Sequence, residues 1–256
     1  MRERSPRSRG RGRRPALPER PDQRRELIVR AALDLLDEEG FDGVSLRRLA
    51  SHLGMHAPGL YWYIENKQDL IDLMAKEILD RGLAGIKPPR PGVEWQEWMV
   101  ELACAVRSAL MARRDGARVA GSAFLLKTGG LTHALEIALE LLEGQGFERL
   151  VALGATMTMV RFAIGAALGE QVSPMSGIKD QAELDRLKRM VVASLDAEQW
   201  PRTAAAYQEL FDADKGEKMG IRNRERIFRW GAEMFVRGLA TYPGFPAEQQ
   251  QVRGER

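Results

Sequence analysis

Between Val44 and Lys67 the chain reads VSLRRLASHLGMHAPGLYWYIENK, a stretch that fits two short helices joined by a tight turn and little else. Ser45 stands where a helix N-cap belongs. Leu46, Leu49, Ala50 and Leu53 recur at the spacing of one helical face. Gly54 then supplies the left-handed backbone that closes a helix. A second short helix opens at about His56 with Pro58 in its first turn, where a missing N–H costs little. It carries small and aromatic residues, Ala57, Gly59, Tyr61, Trp62 and Tyr63, and few charges. Small side chains let a backbone approach base edges, and tyrosine hydroxyls reach phosphates. This is the pattern of a DNA-reading helix-turn-helix. Leu60 and Trp62 read as core, and His52 as solvated or phosphate-facing.

The rest of the 256 residues reads as all-helical, because apolar spacing is mostly three to four and alternating Val/Ile/Thr runs are missing. A first helix spans about Asp22 to Glu39, with Asp22 as a candidate N-cap, and Gly40 ends it. Asn66 and Asp69 stand in capping-box relation at the head of a connecting helix, 67–84. Residues 86–92, IKPPRPG, break helix and mark a domain boundary. Helical patterns follow at about 93–113, 115–122, 129–143, 147–169, 180–195, 200–211 and 223–241, with 173–177 and 212–220 the weakest-ordered intervals. The implied organisation is a basic arm (1–21), a reader (22–66), the connecting helix, a C-terminal domain (93–242) and a flexible tail (243–256).

Charge is placed unevenly. Residues 1–20 hold eight arginines against Glu3 and Glu19, a net of +6, whereas the whole chain is +3, so the remainder carries −3. An Arg/Ser/Gly/Pro arm cannot build a core and is expected to be disordered alone. Beside a reader it is suited to phosphate neutralisation or minor-groove insertion. The single Cys104 excludes an internal disulfide and fits a reducing cytoplasm. The longest apolar stretch, Leu150 to Leu168, is interrupted by Arg161 and glycines, so no membrane span is expected. Nor does the N-terminus have the apolar segment of a signal peptide.

The segments LLDEEGFDGVS, LRRLASHLGM and LYWYIENKQDLI resemble the N-terminal domain of the TetR family of bacterial repressors. The stretches WQEWMVELACAVRSALMARRDGARVAGS, LELLEGQGFERLVAL and RWGAEMFVRGLATY are similar to the ligand-binding half of its tetracycline-sensing members, so the resemblance covers about residues 22–242. It implies a three-helix reader, a helical ligand-binding domain and a four-helix-bundle dimer interface. By the same resemblance Arg47, Ala57, Pro58, Gly59, Tyr61 and Tyr63 fall on DNA-contacting positions, and Lys67 on a phosphate contact. Ala57 and Gly59 replace polar base readers, which points to a different operator and leaves Arg47, then His56, as candidates for guanine.

The C-terminal half is expected to dimerise and to sense. Gly154, Thr158, Gly165, Ala166 and Gly169 form a small-residue stripe that would meet Ile227, Trp230, Gly231, Met234, Phe235 and Gly238 across a two-fold axis. The resemblance sets a pocket among Leu83, Trp95, Trp98, Met99, Leu102, Val106, Met111, Ala120, Leu125 and Met157. Such a lining suits a hydrophobic effector, although Met and Trp stripes also make plain core. Where tetracycline-sensing members hold a magnesium chelate, this chain has Ala120, Leu83, Leu102 and Gly169 or Glu170, a set too apolar for a hard cation. Arg161 is either a ligand contact or, as the favoured reading, an ion-paired or solvent-turned residue, with Glu233 as the candidate partner. No catalytic motif, cofactor motif or metal-ligand spacing is present: His52, His56 and His133 are scattered, and Gly144-Gln145-Gly146 ends a helix. The expectation is a homodimeric, cytoplasmic repressor that binds a palindromic double-stranded operator and is released by a hydrophobic small molecule. Two alternatives stay open: a DNA-binding regulator without small-molecule input, and a small-molecule binder with a vestigial reader.

Overall fold

The structure is a computed structural model and describes residues 20–174, 178, 180–212 and 224–241. The tail at 243–256, nearly all of the basic arm and most of the two intervals read as weakly ordered lie outside the described residues. All regular structure among the described residues is helical.

Pro21 begins α1 (Pro21–Glu39), since its fixed φ suits a first turn and its missing N–H forfeits no bond there. Asp22 is therefore not the N-cap expected from sequence. That position is Arg20, with no side-chain bond, and Asp22 is the second residue of the helix, within its first turn, where its charge faces the positive helix end. After a 3-10 turn at Phe41–Gly43, α2 (Leu46–Leu53) opens on Ser45, whose hydroxyl accepts the Arg48 N–H at 3.3 Å. It closes on Gly54 at φ 65°, a conformation that favours glycine. The four-residue α3 (Ala57–Leu60) follows, then α4 (Lys67–Gly82). Asn66 caps α4 by accepting the Asp69 N–H at 2.9 Å, while Asp69 accepts the Glu65 N–H at 3.1 Å. Ile28, Leu36, Leu49, Leu60, Ile64 and Leu70 close the reader's core, each at most 1% exposed.

Helix α4 continues out of the reader and buries Met74, Ala75, Ile78 and Leu79 against the second half of the fold. The proline segment 86–92 is non-helical, as its composition demands. Then come α5 (Trp95–Met111), α6 (Gly116–Gly121), a 3-10 turn at Leu125–Lys127, α7 (Gly129–Glu143) and α8 (Arg149–Val172). The last described elements are α9 (Gln181–Ala193), α10 (Pro201–Phe211) and α11 (Arg224–Ala240). Helix α5 is central and packs on α4, α8 and α11, while α7 lies on α8 and α4. Its Met99, Leu102 and Val106 are fully buried, each worth roughly 1.5–3 kcal/mol. Helix α8 is long and apolar enough to cross a membrane, but it packs against α5, α7 and α11 within the bundle. Helices α9 and α10 pack on each other.

Candidate functional site

On α2 two adjacent arginines have different fates. Arg48 is tied to the Glu39 carboxylate, whereas Arg47 is exposed and makes no hydrogen bond or ion pair among the described residues. One turn of chain away, His56, Ala57 and Pro58 are exposed and Gly59 is half-buried. Tyr61 is exposed, and Lys67 is exposed at the head of α4 with its Nζ 5.6 Å from the Phe41 ring centre. Tyr63 is half-buried, and its hydroxyl accepts a hydrogen bond from Arg24 Nη1 at 2.9 Å. That leaves the hydroxyl's own proton free to donate. Arg24 itself was not foreseen, because its partner is 39 residues away and no local pattern encodes the pair.

Trp62 corrects the sequence reading. It is 87% exposed and not core. The cause lies in the end of α3: the Leu60 carbonyl accepts the N–H groups of both Tyr63 and Ile64 at 3.0 Å, so residues 61–63 form a turn and not more helix. Ile64 takes the buried position, and Trp62 is turned outward.

Two sets of polar contacts bolt this reader to the rest of the chain. Asp42 holds Arg118 bidentately at 2.8 Å, and the Asp115 carboxylate accepts the Phe41 N–H at 2.8 Å. Arg113 pairs with Asp37, and Arg114 donates to the Glu38 carbonyl at 2.8 Å, satisfying an orphan acceptor at the end of α1. Asp115 is the one non-glycine residue with positive φ among those described, at 53°, a region Asp tolerates better than most. The Arg118 hydrogen bond holds the Asp42 carboxyl below the usual carboxylate range. The second set is centred on Asp72 of α4, 3% exposed, which accepts from Lys127 Nζ at 2.6 Å, Gln68 Nε2 at 2.9 Å and the Phe124 N–H at 3.0 Å. Burial pushes this carboxyl up, and the three donors together outweigh it and bring it below its ordinary value.

Of the residues expected to line a pocket, Leu83, Trp95, Trp98, Met99, Leu102, Val106 and Ala120 meet in one buried cluster, each at most 6% exposed. Leu125 and Met111 are half-buried beside it, and Met157 is half-buried on α8. Trp98 Nε1 donates to the Lys87 carbonyl at 2.8 Å, so the indole N–H is satisfied. Arg161 lies elsewhere, exposed on α8. The ion pair with Glu233 is not formed: Glu233 pairs with Arg229 one helical turn before it on α11. Glu170 is chelated by Arg107 through two 2.8 Å bonds, and Gly169 is exposed.

The faces of α8 and α11 that look away from α5 are apolar and open. Leu150 is 76% exposed, Trp230 60% and Met234 52%. Gly154, Gly165, Gly169 and Gly238 have open space where a Cβ would stand. Between the helices runs a groove of about 410 Å³ whose walls include Gly154, Thr158, Met234 and Gly238.

Residues 28–74 match the bacterial regulatory proteins of the tetR family, and residues 88–242 match the tetracyclin repressor-like C-terminal domain. The class A tetracycline repressor protein from transposon 1721 of Escherichia coli is 36% identical over 176 residues, which are 66% of this chain and 79% of that protein. A possible TetR family transcriptional regulator of Streptomyces coelicolor A3(2) superposes with a TM-score of 0.67 at 29% identity, covering 84% of this chain and 98% of its own. The Streptomyces coelicolor protein ActR, solved in complex with actinorhodin, gives 0.65 at 26% identity, with 84% and 94% covered.

Proposed function

The chain belongs to the tetR family of bacterial regulatory proteins, and we propose that it is a homodimeric repressor released from a palindromic operator by a hydrophobic small molecule. Family membership makes it a helix-turn-helix transcriptional regulator, and the finer claims rest on its own residues. The observation that carries them is the unpaired Arg47 beside the exposed 56–58 edge, in a reader bolted through Asp42, Asp72 and Asp115 to an apolar domain.

In this reading Arg47 reads a guanine edge, with His56 second. Ala57, Pro58 and Gly59 bring backbone close to the groove floor, and Tyr61, Tyr63 and Lys67 hold phosphates. The open α8 and α11 faces join two copies, setting two recognition helices about one DNA turn apart. The effector enters between α4, α5 and α6, within the Leu83/Trp95/Trp98/Met99/Leu102/Val106/Ala120 cluster, flanked by Leu125 and Met157. Arg161, exposed on the far side of α8, has no place in that cluster. Release follows if the ligand binds better to a state in which α4 and α6 have shifted, because only differential affinity moves such an equilibrium. The similar proteins include ones named for tetracycline and solved with actinorhodin, and this lining suits a large apolar or aromatic molecule without a magnesium chelate. Ala120, Leu83 and Leu102 offer no oxygen ligand, and Glu170 is committed to Arg107.

The test is an anisotropy titration against DNA from upstream of the gene, repeated with a panel of hydrophobic compounds. Arg47→Ala is expected to weaken operator binding by roughly 5- to 150-fold and to relax preference at one base pair. Deleting residues 1–20 is expected to flatten the salt dependence by about 0.9 logarithmic units for every arginine that meets a phosphate. An unchanged slope would remove the arm from the interface. The dense burial of Met99, Leu102 and Val106 favours a second reading, regulation with no small-molecule input. Tight binding that no compound disturbs would select it.

A further inference from the structure

Helices α5 and α6 meet in a tight corner, and one side chain from outside holds its inner side. Gln171, in the last turn of α8, makes three bonds there. Its Oε1 accepts the Ala117 N–H at 3.0 Å, and its Nε2 donates to the Leu110 carbonyl at 3.1 Å and the Arg113 carbonyl at 2.8 Å. Two of these partners are helix-end groups with no bond inside their own helix. The Leu110 carbonyl belongs to the last turn of α5, and the Ala117 N–H to the first turn of α6. Both residues are 0% exposed, so water cannot stand in for the amide. The end of α8 is itself fixed on α5, because the neighbouring Glu170 is clasped by Arg107 with both side chains largely buried. Gly116 lets the corner close: a Cβ there would stand 2.3 Å from the Leu110 carbonyl oxygen.

What Gln171 does for α6 decides what Asp115 is free to do. Asp115 is the N-cap of α6, and an aspartate there ordinarily accepts an N–H from its own first turn. It makes no such bond. Its carboxylate accepts the Phe41 N–H instead, at the turn that joins α1 to α2 in the reader. From the same corner Arg113, Arg114 and Arg118 hold Asp37, the Glu38 carbonyl and Asp42. The corner therefore grips the reader on one side and is gripped by α8 on the other, and α8 carries the open face assigned to self-pairing. We propose that Gln171 is a positioning residue for the reader. By capping α6 from α8 it leaves Asp115 to hold Phe41, and so it sets the reader's angle on the dimer-forming helix. The proposal rests on the reading of the protein as a dimer on two half-sites. It adds to that reading a second hold on the readers, from a helix other than α4.

The experiment uses the full-length chain and its Gln171→Met variant, which keeps the length and bulk of the side chain and loses all three bonds. Anisotropy is measured on the operator found upstream of the gene, on versions with one base pair added or removed between the half-sites, and on one half-site alone. The half-site should be bound as by wild type, because no exposed residue of the reader has changed. The native operator should be bound about tenfold more weakly, a modest coupling between sites. The shifted operators should lose less, so the preference for native spacing shrinks. A merely structural loss would lower the melting temperature and leave that preference where it was. Asp115→Gly removes the carboxylate and suits the positive φ, and it should reproduce the effect. The double variant should then lose no more than either single one, since both act through one bond. An undiminished preference for native spacing in Gln171→Met would overturn the proposal, and so would full additivity with Asp115→Gly. A wild type that binds the half-site as tightly as the operator would instead sink the two-half-site reading, and the proposal with it.

Discussion

Placing aspartate at both Thr158 and Met234 is expected to yield a folded monomer whose operator affinity is lower by about two to four orders of magnitude. Folding should survive because neither side chain holds the bundle together. Helix α8 is anchored through Ala152, Met159 and Ala163, and α11 through Phe228, Ala232 and Val236, all buried. Phe162 and Phe228 stack at 5.0 Å and lock the two helices to each other. Their outer faces have no such neighbours, with Leu150, Trp230 and Met234 more than half exposed and Gly154, Gly165, Gly169 and Gly238 open. A helix of 24 residues is about 36 Å long, enough for a two-helix face to reach the 1,200–2,000 Å² that stable interfaces typically bury. Four carboxylates brought together at the two-fold axis would repel at close range in a surface that excludes water. Once the copies part, each reader must find its half-site alone, and the effective concentration that linkage supplies is lost. Light scattering and operator anisotropy on the same samples check this. A double variant that remains dimeric would place the interface elsewhere.

Local chemistry carried most of the fold. Ser45, Gly54 and Asn66 each do at a helix end what their side chain or backbone freedom allows, and the structure puts those ends where the caps fall. The IKPPRPG break and the helical ranges after it stand within a few residues of expectation, because proline and periodicity act over one or two turns. What the sequence hid is what depends on partners far along the chain. Tyr63 meets Arg24, Asp72 meets Lys127, and Asp42 meets Arg118, at separations of 39, 55 and 76 residues. No window on the sequence reports such pairs. Arg161 was matched with Glu233 by charge alone, and the nearer Arg229 took that carboxylate. Trp62 was misread for a different reason: helical periodicity was carried through residues 61–63, but α3 stops at Leu60 and the phase is lost. The candidate reader residues come from a family resemblance, which assigns them by position and needs no long-range contact. The clamp that ties the reader to the C-terminal domain was not legible in the sequence.

Gly82→Ala is expected to cost about 3 kcal/mol, to lower the melting temperature by roughly 6–12 °C and to weaken the operator complex at least about tenfold. Gly82 is the last residue of α4, and a Cβ there would stand 2.1 Å from Ala109 Cβ and 3.0 Å from its Cα on α5. Carbon atoms pack at about 3.5–4.0 Å, so the helices must part by about 1.5 Å at this crossing. Neither side can yield by rotating a side chain, because one atom is backbone and the other is fixed to it. Helix α4 is about 24 Å long and carries the reader at its other end, so a wedge at Gly82 tilts the whole lever. The tilt also strains the Asp80 bond to the Gly130 N–H at 2.6 Å and the Asp72 cluster, which fix α4 against the head of α7 and the turn before it. Ala109→Gly in the same chain removes the opposing methyl and should restore most of both losses, short of about 1 kcal/mol for a glycine within α5. Two contacting sites must show such non-additivity. If the double variant loses as much stability and operator affinity as the two single variants combined, the Gly82–Ala109 crossing is not where α4 is held, and the lever has its fulcrum elsewhere.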